Sequence, residues 1–126
     1  MIIGTGIDIV EVARIRKSME KNDGFAKLVF DPEELAYCKK QAASFQSFAG
    51  RFAAKEAFFK ALGSGWSGDL AFHEVCIFND ALGKPYIQLK GATQQALKDK
   101  ENCSFHLSIS HTEHYATAFV ILETAS

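Results

Sequence analysis

Cysteine is scarce in this chain. Cys38, Cys76 and Cys103 are odd in number and widely spaced, with no paired zinc-type spacing. That excludes a disulfide scaffold and leaves reduced thiols as the expectation. Charge of one sign is also lacking. The net charge of −1 sets up no overall field for a nucleic acid or a membrane, so any charged partner must be met by a local patch. No stretch approaches the roughly 18 uninterrupted apolar residues of a membrane span. The opening Met1-Ile2-Ile3-Gly4-Thr5-Gly6-Ile7-Asp8 has neither the basic start nor the long apolar run of a signal peptide. A cytoplasmic setting is therefore expected, with no nucleic-acid or membrane partner. Low-complexity linkers, repeats and composition breaks are missing too, so residues 1–126 are expected to form one domain.

What is present is an ordinary globular composition, 48% hydrophobic and 23% charged, enough for a real core at this length. Residues 2–10 place Ile3, Thr5, Ile7 and Ile9 on one side of an alternation, which predicts a strand. From Glu11 the period changes: Val12, Ile15 and Met19 fall at helical spacing, and Arg14, Lys17 and Lys21 share another face. Asn22-Asp23-Gly24 reads as a break. Asp31-Pro32-Glu33-Glu34 is a helix start, with a capping Asp, Pro in the first turn and acids at the positive end of the dipole. That helix is expected to end near Lys40.

The longest helix is expected from Ser44 to Leu62, closed by Gly63, with a loop over residues 64–68. Strands follow at Leu70–Phe78 and Tyr86–Leu89 around a turn from Asn79 to Pro85. A short helix is expected at Ala92–Lys100. Phe105–Ser110 and Ala116–Glu123 form a last strand pair around His111-Thr112-Glu113-His114. Helices first and strands later predict an α+β domain, an antiparallel sheet packed with a long helix.

One position does not fit a plain core. At about 100° per residue, Phe45, Phe48, Ala49, Phe52, Ala53 and Phe59 form an apolar arc on the long helix, and Glu56 falls near its middle. A buried, unpartnered carboxylate costs several kcal/mol. Either Lys60, one turn on, pairs with it, or the helix turns that stretch to solvent, or something else neutralises it. Asp8 is a second odd acid, inside an apolar strand just before a helix, where capping is the plain role. If the two acids converge, a divalent cation relieves their repulsion. Oxygen-only ligation by two acids suits magnesium, which completes its shell with waters and substrate phosphates.

Arg51, Lys55 and Lys60 gather around the same helix, and Gly63-Ser64-Gly65 follows, able to bring backbone N–H groups to an anion. Together they point to a phosphorylated substrate. The loop matches neither Walker nor Rossmann spacing. Asn79 to Pro85 is also good turn chemistry, and Ser108 to Thr112 is also an ordinary polar turn with an incidental histidine.

Read together, Gly4-Thr5-Gly6-Ile7-Asp8-Ile9-Val10-Glu11 with Arg14-Ile15 resembles the first motif of the bacterial holo-acyl-carrier-protein synthases, the small single-domain phosphopantetheinyl transferases. Phe48-Ala49-Gly50-Arg51-Phe52-Ala53-Ala54-Lys55-Glu56-Ala57 with Lys60-Ala61-Leu62-Gly63 resembles the central motif. Gly83 to Tyr86 and Ser108 to Thr112 resemble the two later ones. The resemblance implies the 4′-phosphopantetheinyl transferase fold and a homotrimer with sites shared between subunits. It implies magnesium on Asp8 and Glu56, and Lys60 on the phosphates of coenzyme A. It further implies Arg51 and His111, with Ser110, at the 3′-phosphate and adenosine, Asn79, Gly83 and Pro85 at the adenine, and backbone at Gly63 near the phosphates.

The reaction implied moves phosphopantetheine from coenzyme A to a serine of apo acyl carrier protein, in support of fatty acid biosynthesis. The proton acceptor is open between Glu56 and a water on the metal. Arg14, Lys17 and Lys21, with Arg16 and Lys27 nearby, suit docking of an acidic carrier, or form a solvated face. The main alternative is a non-catalytic module that binds coenzyme A or a nucleotide and regulates a partner. Such a module needs the cations but not both acids.

Overall fold

The computed structural model describes residues 1–21, 23–63 and 68–125. The elements are β1 (Ile2–Glu11), α1 (Val12–Lys21), α2 (Asp23–Val29), α3 (Pro32–Lys39) and α4 (Ser44–Ala61). After a 3-10 turn at Phe72–Glu74 come β2 (Val75–Asn79), β3 (Pro85–Leu89) and α5 (Gly91–Ala96). A second 3-10 turn at Lys98–Lys100 then leads to β4 (Cys103–His111) and β5 (Tyr115–Thr124). The α+β class holds. The strands, however, form two antiparallel sheets, β1-β5-β4 and the hairpin β2-β3, rather than one.

α4 is the axis of the molecule. Ala53, Ala54, Ala57, Phe58 and Phe59 pack on Leu107, Ala118, Val120 and Leu122 of the larger sheet. At its other end, Phe48 and Ala49 pack with Val12, Ile15, Val29 and Phe30. The expected one-sided arc is therefore only part of the picture, because α4 is covered on nearly every side. Leu62 caps it, and Gly63 follows at φ +83°, a conformation that suits glycine.

β1 alternates as its sequence predicts, but Ile3, Ile7 and Ile9 face outward, with Ile7 62% and Ile9 66% exposed. The reason lies on the other face. Gly4 and Gly6 sit against the backbone of Ala61 and Ala57, where a Cβ on either would overlap a carbonyl oxygen. The strand thus trades side chains for a close approach to α4, and Asp8 continues that inward face.

Three boundaries differ from the sequence reading. The break at 22–24 is instead the start of α2 (Asn22 itself lies outside the described residues), because Phe25 packs on Phe30 and Phe52 and anchors a second helix. The strand expected from Leu70 begins at Val75, since the Glu74 carboxylate turns aside to accept from Ala92 N, Thr93 N and Thr93 Oγ1 at the head of α5. The helix expected over 92–100 breaks into α5 and a 3-10 turn. The loop expected at 64–68 lies almost wholly outside the described residues. The helix start at Asp31 forms the capping box its sequence announces, with Asp31 Oδ2 accepting from Glu33 N and Glu34 Oε1 from Asp31 N. Cys38, Cys76 and Cys103 are free thiols. Among the described residues no helix is long and apolar enough to cross a membrane.

Candidate active site

The close packing of β1 on α4 sets Asp8 and Glu56 at one cleft of about 610 Å³. Lys60 reaches the same cleft, and its Nζ donates to Asp8 Oδ1 at 3.1 Å and to the Ile7 carbonyl at 3.0 Å. The helical ion pair between Glu56 and Lys60 is therefore not what this lysine makes; it crosses to the strand instead. The other carboxylate oxygen, Asp8 Oδ2, is buried with no hydrogen-bond partner among the described residues. Burial, and after it the charge of Asp8, hold the Glu56 carboxyl above the usual carboxylate range, against the opposing pull of Lys60.

An orphaned carboxylate oxygen beside a second, partly buried acid is the donor set a hard divalent cation satisfies. Among the described residues no third His, Cys, Asp or Glu joins them. Two carboxylates leave most of the shell to water and phosphate, as magnesium prefers.

A second cleft, of about 380 Å³, brings together Arg51, Asn79, Gly83, Pro85 and His111 from three separate stretches of chain. Arg51 is its anchor, only 5% exposed. Its Nη2 donates to Asn79 Oδ1 and its Nη1 to Ser47 Oγ at 3.3 Å, while its guanidinium lies 4.5 Å over the Tyr37 ring. Asn79 Nδ2 in turn donates to the Gly83 carbonyl at 2.9 Å, and Gly83, at φ +86°, closes the hairpin turn. His111 Nδ1 lies 2.7 Å from Gln46 Oε1. Arg51 and Glu56 are five residues apart on α4, about 140° around its axis, so the two clefts open on different sides of the helix.

Other expected residues fall elsewhere. Ser110 is exposed and lies on the opposite face of β4 from Ile109 and His111, which border the second cleft. Gly63 is exposed at the end of α4 and borders neither cleft. Lys55 is not available to an anion. It is 0% exposed, and its Nζ donates to Glu34 Oε1 at 2.7 Å and to the carbonyls of Phe72 and Val75 at 2.9 and 2.8 Å. Burial draws its amine below the ordinary lysine range, opposed by Glu34. Arg14, Lys17 and Lys21 are exposed on α1, and Arg14 borders the first cleft. Arg16 lies 4.7 Å over the Phe45 ring. Sequence reasoning missed Tyr37, Ser47 and Gln46. Ser47, one helical turn before Arg51, carried a usable signal; Tyr37 and Gln46 carried none.

The family described as the 4′-phosphopantetheinyl transferase superfamily matches residues 4–120. This chain belongs to it. Holo-[acyl-carrier-protein] synthase of Clostridium tetani is 43% identical over 123 residues, covering 98% of this chain and 97% of that one. The synthase of Koribacter versatilis is 44% identical over 124 residues, covering 98% and 99%. Among solved structures, holo-[acyl-carrier-protein] synthase from Neisseria meningitidis superposes with a TM-score of 0.89 at 38% identity, covering 98% of this chain and 100% of that one. The enzyme from Bacillus anthracis, in complex with CoA (3′,5′-ADP), gives 0.81 at 36% identity, covering 99% of each chain. The phosphopantetheinyl transferase fold is therefore shared from end to end, and no part of this chain stands outside the matched architecture of the Bacillus anthracis and Neisseria meningitidis enzymes by more than a few residues.

Proposed function

We propose that this chain transfers the 4′-phosphopantetheine group of coenzyme A to a serine of apo acyl carrier protein, with magnesium, releasing adenosine 3′,5′-bisphosphate. The observation that carries the reading is the buried, unpartnered Asp8 Oδ2 beside the raised Glu56 carboxyl, with Lys60 in the same cleft. Asp8 and Glu56 would hold the metal, which supplies charge neutralisation to a pyrophosphate. The serine hydroxyl forms the new bond to the phosphorus that bears pantetheine, and the bond from that phosphorus to the adenosine 5′-phosphate oxygen breaks. The serine proton passes to Glu56 or to a water held beside it in the cleft. Lys60, 54% exposed at the cleft mouth, meets the negative charge that grows on the leaving phosphate.

The second cleft takes the nucleotide end of the donor. Arg51 and His111 bind its 3′-phosphate, and the Asn79–Pro85 turn borders the adenine. Ser110 and Gly63 lie outside that cleft within one subunit, and their proposed roles are with a neighbouring subunit's donor. The exposed face of Ile3, Ile7, Ile9 and Phe119 supports a homotrimer, and clefts opening on different sides of α4 suit a donor that lies across two subunits. Arg14, Lys17 and Lys21 dock the acidic carrier, and the setting is fatty acid biosynthesis in the cytoplasm.

Intact mass of apo acyl carrier protein after incubation with the purified enzyme, coenzyme A and magnesium tests the reading. A gain of one phosphopantetheine, lost with chelator and in Asp8→Ala, is expected. No gain despite coenzyme A binding would move the assignment to the regulatory module.

A further inference from the structure

The nucleotide cleft has walls on two bodies. Asn79, Gly83 and Pro85 belong to the β2-β3 hairpin, which pairs with no strand of the larger sheet. Arg51 belongs to α4, and Tyr37 to α3. Apolar packing of Val75 and Ile77 on α4 and the Lys90–Asp31 pair hold the hairpin to the helices, and at its centre is one buried carboxylate. Glu34 Oε1 accepts from Asp31 N and Lys55 Nζ, and its Oε2 accepts at 2.9 Å from Ile77 N, two residues before Asn79. Lys55, one turn after Arg51, spends its other two protons on the carbonyls of Phe72 and Val75, which lead into β2.

Both side chains are 0% exposed and all the lysine's donors are satisfied, so neither reaches substrate. Stability alone does not call for such a pair. Taking two charges out of water is costly, and well-packed apolar residues often do as well or better. A charge pair with directed bonds does what an apolar contact does not: it fixes distance and register between elements.

We propose that the buried Glu34–Lys55 pair is a positioning device for the nucleotide cleft, holding the β2-β3 hairpin at the separation from α4 at which Asn79 meets Arg51. This rests on the assignment of that cleft to the donor nucleotide. Glu34 and Lys55 are positioning residues, acting through Asn79 and Arg51.

The test is the full-length double variant Glu34→Leu/Lys55→Met, with Glu34→Gln beside it. The double variant leaves the Asp31 and Ile77 N–H groups and the Phe72 and Val75 carbonyls without these partners. It is expected to melt below the parent but stay folded at assay temperature and keep kcat within about twofold, while its KM for coenzyme A rises at least about tenfold. Amide exchange at Ile77, freed of its acceptor, is expected to speed up. Glu34→Gln, which keeps the shape and weakens the bonds, is expected to shift KM in the same direction and less. A folded double variant with parental KM overturns the proposal. Failure of both variants to fold overturns it as well, because the pair is then needed for the fold and not for the cleft. If the cleft assignment is at fault instead, Arg51→Ala leaves coenzyme A affinity unchanged while exchange at Ile77 still speeds up in the double variant.

Discussion

Replacing Gly6 with alanine is the sharpest test of how the Asp8–Glu56 cleft is built. A Cβ there would overlap the Ala57 carbonyl oxygen and lie 2.8 Å from Ala61 N and 2.9 Å from Ala57 C, whereas real Cβ contacts below 3.0 Å essentially never occur. All three obstacles are helix backbone, which has no rotamer to yield. β1 and α4 must therefore separate, by about 1 Å to clear the oxygen. Overpacking of this kind costs about 1–3 kcal/mol, which for a chain of this size lowers the melting temperature by roughly 4–12 °C. The functional loss is larger. Asp8 lies two residues along the strand and Glu56 adjoins Ala57, so the same separation pulls the two carboxylates apart. A 1 Å misplacement of reacting groups can lower turnover about a hundredfold. Thermal melting and carrier-loading rates, each with and without magnesium, give both numbers. Gly68→Ala is the control, because among the described residues nothing lies within 4 Å of a Cβ there. A Gly6→Ala enzyme with parental melting and turnover would refute the account of this strand.

Glu56 should also report on the site through pH. Its folded carboxyl is raised, so the stability it contributes is full below the ordinary glutamate range and is lost as pH rises through the higher folded value. Glu56→Gln is therefore expected to raise the metal-free melting temperature at pH 7–8 by about 1–4 °C, a small effect because the group is partly hydrated, while lowering turnover at least about a hundredfold. A falling melting temperature would count against the reading. Arg51→Lys, which loses the forked contacts to Asn79 and Ser47 and the stacking on Tyr37, should raise the KM for coenzyme A about tenfold and leave carrier KM unchanged in steady-state assays. Raising salt, or Lys17→Glu, should raise carrier KM about fivefold with little change for coenzyme A; equal responses would remove the α1 patch as a docking face. Ile7→Glu places a charge on the outward face of β1 and should convert the proposed trimer to monomers in sedimentation, with loss of activity.

Much of this architecture is legible in the chain because local signals agree with the final packing. Asp31-Pro32-Glu33-Glu34 forms the helix start it spells, and Asp8 and Glu56 meet at one cleft. What escaped depends on distant partners. Lys55 resembles a surface cation until Glu34, 21 residues earlier, is seen to bury it. Glu34 reads as one of the acids at the positive end of the helix dipole, and that reading conceals both its part in the capping box and its two bonds beyond the helix. Ser110 and His111 are neighbours in sequence, yet the two-residue period of a strand sends them to opposite faces. Which way the isoleucines of β1 face was likewise invisible, since alternation gives two faces without saying which is inward. The glycines decide it, through a backbone contact no periodicity records.

The placement of Arg51 and Glu56 on different sides of α4 has a genetic consequence. In a trimer whose donor lies across two subunits, each reaction draws its metal ligands from one chain and its nucleotide contacts from the next. A chain lacking Glu56 and a chain lacking Arg51 are then each expected to be inactive alone. Mixed in one assembly, they place an intact metal half beside an intact nucleotide half at some of the junctions. Defects in different halves complement each other, and defects in the same half do not.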